Sequence, residues 1–232
     1  DVDDEGARYP LVVDPLLYVV EEATLLASGG LATDYLGGSV ALSSDGTRAL
    51  VGAYGDDTVG GVNAGSARVF LRTGATWGEE AMLLASGGAA DDLFGWSVAL
   101  SSDGSRALVG VELDDTASGA DAGSARVFLR TGSTWVEEAT LLASGGATND
   151  YFGYSVALSP DGSRALVGAY ADDTTAGMDA GSARVFLRSG TTWAEEVTLL
   201  ASGGEAGEYL GWSVALSSDG TRALVGAPHD RA

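Results

Sequence analysis

Three observations predict an all-β chain built as a β-propeller of four four-stranded blades: a 58-residue sequence period, four short strand-like runs in each period, and turn residues at every boundary. The segment SVALSSDGTRALVGA that begins at Ser39 returns, with small changes, at Ser97, Ser155 and Ser213. GSARVFLR beginning at Gly65 returns at Gly123 and Gly181, and every recurrence is 58 residues on. A fixed period of this size marks a solenoid, propeller or array, and four strands per period selects the propeller.

The third period shows each element. The first strand, predicted over Gly153 to Ser159, alternates bulky Phe152, Tyr154, Val156 and Leu158 with small Gly153, Ser155, Ala157 and Ser159. One small face suits the crowded strand nearest the axis. The second strand is predicted over Arg164 to Tyr170, and the third over Ser182 to Arg188. That third strand sets Val185 and Leu187 on one side and Arg184, Phe186 and Arg188 on the other. The fourth, Thr192 to Ala201, carries Trp193 and the pair Glu195 and Glu196, so Arg to Glu cross-strand pairs are expected. Tryptophan recurs in step at Trp77, Trp135 and Trp193, a regularity expected of structure. VEEATLLAS has a weak helical look, but its β-branched neighbours and Gly-Gly ending favour strand.

One domain is expected over residues 1–232, with repeats at about 7–64, 65–122, 123–180 and 181–232. Gly6-Ala7-Arg8-Tyr9 echoes GSAR, and Glu21 to Leu26 repeats EEATLL. The N-terminal half-blade is therefore expected to pair with the C-terminal half-blade and close the ring, which removes exposed strand edges. The alternative is that four blades form half of an eight-bladed ring shared by two chains, so the chain is expected to be a monomer or a homodimer.

Composition excludes several functions. With 33 acids against 12 bases, all arginine, the net charge is -21, which makes nucleic acid an improbable partner. There is no cysteine, hence no disulfide, thiolate nucleophile or Cys-type zinc site. No run of 18 apolar residues predicts membrane insertion. The single histidine, His229, has no repeat counterpart, and no G-x-S-x-G motif is present, so no catalytic residue is assigned. Paired carboxylates could in principle hydrolyse glycosides, but acids in so many equivalent loops single out no particular acid and base.

Phe94-Gly95-Trp96-Ser97-Val98 and Phe152-Gly153-Tyr154-Ser155-Val156, with Val225-Gly226-Ala227-Pro228, resemble the FG-GAP repeat of integrin α-subunit propellers, in the form found in bacterial extracellular proteins. Single copies depart: Leu36 and Leu210 replace Phe, while Tyr54, Glu112 and Tyr170 replace Pro. The resemblance implies a propeller, adhesion or ligand recognition, an extracellular or cell-surface location, and calcium-binding hairpins of the form D-x-D-x-D-G-x-x-D. Laying that loop on ALSSDGTRA leaves Asp45 as its one carboxylate, and Asp103, Asp161 and Asp219 stand likewise. A hard cation needs several oxygens, so no metal and no cofactor is expected, calcium being the weak exception. These Asp-Gly pairs are read as tight hairpins.

If the strands are antiparallel, the loop after the second strand and the loop entering the next first strand share one face. That face collects Asp56, Asp57, Asp114, Asp115, Asp172, Asp173, Asp92 and Asp150 as candidate ligand-binding acids, beside Asp34, Asp91, Glu205 and Glu208. Trp96, Tyr154 and Trp212, flanked by Tyr35, Tyr151 and Tyr209, are candidate stacking residues, and packing between blades is the competing role. The loops GAYGDDTVGGVNAG, GVELDDTASGADAG and GAYADDTTAGMDAG vary more than the strands, which is where recognition resides on a fixed scaffold. The expected function is a non-enzymatic binding or adhesion module with an unidentified protein or glycan partner. A lectin-like propeller and a structural spacer are the alternatives.

Overall fold

The computed structural model describes residues 21–229. Fourteen strands follow one another: β1 (Val40–Leu42), β2 (Arg48–Ala53), β3 (Ser66–Thr73), β4 (Thr76–Leu83), β5 (Val98–Leu100), β6 (Arg106–Val111), β7 (Ser124–Thr131), β8 (Thr134–Leu141), β9 (Ser155–Leu158), β10 (Arg164–Ala169), β11 (Ser182–Ser189), β12 (Thr192–Leu199), β13 (Ser213–Leu216) and β14 (Ala223–Gly226). They form three antiparallel four-stranded sheets, each a simple meander, and a two-stranded sheet of β13 and β14. Three blades and the inner half of a fourth are thus in place. Of the segment expected to complete the fourth, Gly6 to Tyr9 lies outside the described residues, and Glu21 to Leu26 forms no strand.

The cores lie between blades. Leu50, Ala67, Val69 and Leu83 of the first blade pack with Phe94, Val98, Ala107, Val109, Val111 and Phe128 of the second. The second and third blades repeat the arrangement around Leu108, Val127, Phe152, Val167 and Phe186. Phe94 and Phe152 are fully buried, each contributing about 1.5–3 kcal/mol from the apolar surface it removes from water.

The FG and GA dipeptides meet across these junctions, which gives the repeat motif its physical reason. A Cβ on Gly52, Gly110 or Gly168 would lie 2.0 Å from the carbonyl oxygen of Gly95, Gly153 or Gly211 in the next blade. Only glycine lets the two backbones approach this closely. Phe94 also forms a parallel bridge with Gly65 of the preceding blade, as Phe152 does with Gly123 and Leu210 with Gly181.

The outer strand is irregular at its glutamate pair. The register passes from Val69↔Ala81 to Phe70↔Glu79, so Glu80 is the extra residue of a β-bulge, and Glu138 and Glu196 hold the same place. The bulge aims two consecutive glutamates at different partners. Glu79 pairs with Arg68 across the strand, 2.9 Å away, as Glu195 does with Arg184 at 3.4 Å. Glu80 instead takes Arg48 of its own blade at 3.1 Å and Arg130 of the next at 2.6 Å. The expected Arg to Glu pairs therefore form within one blade at the first glutamate and extend across the junction at the second.

Candidate functional site

The loop after β2 and the loop entering the next blade's first strand share a face, and their acids divide into three groups. Asp56, Asp114 and Asp172 are buried and turned inward. Their Oδ2 atoms accept Arg68 Nη2 at 2.6 Å, Arg126 Nη2 at 2.7 Å and Arg184 Nη2 at 2.9 Å, together with the hydroxyls of Ser66, Ser124 and Ser182. These three, expected as ligand-binding acids, make internal ion pairs: of two neighbouring aspartates in extended chain, one points in and one out. Asp57, Asp115 and Asp173 are the outward members. Each caps its own loop by accepting the backbone N–H of Asn63, Asp121 or Asp179.

Asp92 and Asp150 are buried, and each accepts a backbone N–H, from Ala89 and Ala147, at 2.6 Å. Burial raises the Asp150 carboxyl to about 6, with the charges of Asp172 and Asp173 acting in the same direction, and Asp92 is raised for like reasons. On the opposite face, Asp45 accepts Ser43 Oγ, Thr47 N and Thr47 Oγ1, bonds that hold its carboxyl down at about 2. Asp103, Asp161 and Asp219 make the corresponding hairpin bonds.

Toward the axis the face is aromatic, because the residue just before each first strand and the residue just after each second strand come together there. Tyr35 stacks on Tyr54 with centroids 4.9 Å apart, Tyr54 lies 4.9 Å from Trp96, and Trp96 lies 5.7 Å from Tyr154. Tyr154 continues to Trp212 at 4.9 Å and Tyr170 at 4.5 Å, and Tyr170 stacks on Tyr151 at 5.4 Å. Tyr209 and the ring of His229 end the strip, 4.9 Å apart. Trp96, Tyr154 and Trp212 therefore pack against other rings while keeping an accessible edge, Trp212 being 42% exposed.

Tyr54, Glu112 and Tyr170 occupy one repeat position in this strip, and sequence reasoning met them only as replacements for a proline. The signal was available in their period, which places an acid where two copies have tyrosine. Glu112 is 6% exposed and pairs with no arginine among the described residues, where the one fully buried side-chain polar atom without a hydrogen-bond partner is Arg184 Nε.

Blades built from a repeated Phe-Gly and Gly-Ala junction define a β-propeller repeat protein. The FG-GAP repeat family model matches residues 19–70, 77–128, 135–186 and 193–232, and the chain belongs to that family. No curated protein is similar to it in sequence. Among solved structures, a proposed 6-phosphogluconolactonase from Bacteroides uniformis matches with a TM-score of 0.50 at 14% identity, over 81% of this chain and 46% of its own. The chain thus spans less than half the length of that protein, and the likeness concerns the fold alone.

Proposed function

We propose that this chain is a non-enzymatic, extracellular or cell-surface binding module that recognises a protein or glycan through the loop face. One observation carries the reading: the constant loop residues do structural work and the variable ones are presented outward. Asp56, Asp57, Thr58 and Gly61 close the loop through ion pairs, caps and a Thr58–Gly61 bridge. Val59, Val62 and Met178, at positions that differ from copy to copy, stand 98%, 58% and 69% exposed. A rigid base with apolar, variable tips suits recognition and leaves the acids beneath it occupied. Asp56, Asp114 and Asp172 are each occupied by an arginine.

The lectin-like reading draws on the neighbouring aromatic strip, since exposed rings beside acids suit sugar faces and hydroxyls. Glycan and extracellular-protein arrays probed with the chain distinguish the two. The expected result is saturable binding to one class of spot, lost in a variant with Val59, Val62 and Met178 all changed to Ala that keeps the parent Tm. No binding on either array, or binding that the triple variant retains, overturns the loop-face reading.

A further inference from the structure

Glu112 places an acid beside the aromatic strip, at a repeat position where two other copies carry tyrosine. At the equivalent positions, Tyr54 touches the ring of its own blade's Tyr35 and the next blade's Trp96, and Tyr170 touches Tyr151 and Tyr154 of its own blade and Trp212 of the next. By the same geometry Glu112 stands between Trp96 of its own blade and Tyr151 and Tyr154 of the next. Burial raises the phenols of Tyr151, Tyr154 and Tyr170, and the charge of Glu112 acts on each in the same direction.

A buried carboxylate is costly unless it is paired. Elsewhere in this chain that rule is kept: Asp56, Asp114 and Asp172 each have an arginine, and so do Glu80 and Glu138. Among the described residues no arginine pairs with Glu112, and its nearest charged influence is another acid, Asp121. Burial first, and Asp121 second, push the Glu112 carboxyl up to about 8. Tyrosine fills this position in two other copies, so nothing about the fold demands an acid there. A carboxylate beside aromatic faces is the arrangement that receives an organic cation, with the ring quadrupoles and the carboxylate attracting the same charge.

We propose that Glu112, with the rings of Trp96, Tyr151 and Tyr154, forms a binding site for an organic ammonium group. The site rests on the reading of this face as the recognition face and names the chemistry of one feature its partner would carry. Ionised Glu112 is the form that binds, so affinity rises with pH through the titration of this carboxyl, in the field of Asp121, Tyr151, Tyr154 and Tyr170.

The test is a titration of the whole chain with tetramethylammonium and, separately, butylammonium, following the indole N–H resonance of Trp96 by NMR at pH 6 and pH 9. A saturable shift is expected for at least one probe, with affinity roughly tenfold or more greater at pH 9, where most of the carboxyl is ionised while the amine remains charged. Preference for the quaternary ion assigns the larger part to the rings, and preference for the primary ion to the carboxylate. Glu112→Gln should weaken binding roughly tenfold or more, and Glu112→Tyr, which restores the repeat residue and with it the fold's usual packing, should abolish it while holding or raising Tm. No saturable shift with either ion at pH 9, or equal affinity in Glu112→Tyr, overturns the proposal. Array binding that survives in Glu112→Tyr but is lost in the loop-tip variant would sink this site and leave the loop-face reading standing.

Discussion

Glu138 and Glu196 occupy the same repeat position, yet the first is locked into a junction and the second is not. Glu138 receives Arg106 at 2.9 Å, Arg188 of the next blade at 3.0 Å and the Trp193 indole at 3.2 Å, and its side chain is 8% exposed. Glu196 meets only Arg164, at 3.4 Å, with its side chain 42% exposed. The difference lies in the neighbour: β11 and β12 bring an arginine and a tryptophan to Glu138, and no outer strands stand beside Glu196 among the described residues. Glu22 makes the corresponding contact with Arg72 at the other end, from residues 21–26, which form no strand among the described residues. A blade junction is thus shared, and half of each belongs to the outer hairpin of the following blade.

The largest break in this comparison comes from the glycines. Gly110→Ala drives a methyl into the Gly153 carbonyl, a backbone atom that cannot swing aside, and should cost about 3 kcal/mol or more or prevent folding. Gly226→Ala, at the equivalent position of the last blade, meets only the side chain and distant backbone of Ser213 and should cost under about 1 kcal/mol. Urea unfolding of the two variants measures the contrast. Equal effects would show that the Phe-Gly to Gly-Ala contact is not what seats one blade on another.

The glutamates should follow. Glu138→Ala leaves Arg106 and Arg188 without their shared acceptor in a buried place and should cost about 3–5 kcal/mol. Glu196→Ala removes a half-exposed pair and should cost less than about 1 kcal/mol. If the Glu196 variant is as unstable as the Glu138 variant in the same denaturation assay, the last blade is covered in solution by something that supplies the missing arginine and tryptophan.

The pH dependence of stability reports on the aromatic end of the loop face. Glu112 and Asp150 have carboxyls raised from 4.5 to about 8 and from 3.8 to about 6. An acid raised in the folded state stabilises fully below its unfolded value and less as pH climbs through the folded one. Stability should therefore decline from pH 4.5 toward 8, and Glu112→Tyr should flatten the upper part of that decline. Asp45, Asp161 and Asp219, lowered from 3.8 to about 2, act in the opposite sense: their contribution is present above pH 3.8 and disappears as pH falls through 2. Thermal unfolding across this range reads both slopes.

Much of the fold was legible because the period repeats its own punctuation. The strand predicted over Ser182 to Arg188 is observed as Ser182–Ser189, and that over Arg164 to Tyr170 as Arg164–Ala169. The Asp-Gly hairpins and in-step tryptophans also carried their meaning in the sequence, Trp135 and Trp193 reaching Glu80 and Glu138 across a junction. The site was less legible. Asp56 and Asp57 look alike as letters, and only the strand's alternation together with Arg68, twelve residues on in the facing strand, separates an internal ion pair from an outward cap. The bulge at Glu80 was hidden, since an extra residue in one strand leaves no mark in a repeat whose copies all share it. Glu112 was visible as a departure from the motif, but that no arginine reaches it among the described residues is a property of the packing around it.

The most direct measurement is an NMR titration of the side-chain carboxyl carbons, with Glu112 assigned by comparison with Glu112→Gln. The predicted Glu112 midpoint is near 8, while Glu79 and Glu195, which accept the backbone N–H of Ser28 and Ser144, and Glu80 and Glu138, bound by arginine, titrate below the ordinary glutamate value. A Glu112 midpoint near 4.5, in company with exposed glutamates, would contradict it, because the carboxylate would then be solvated or already paired and the mouth would hold no acid waiting for a cation.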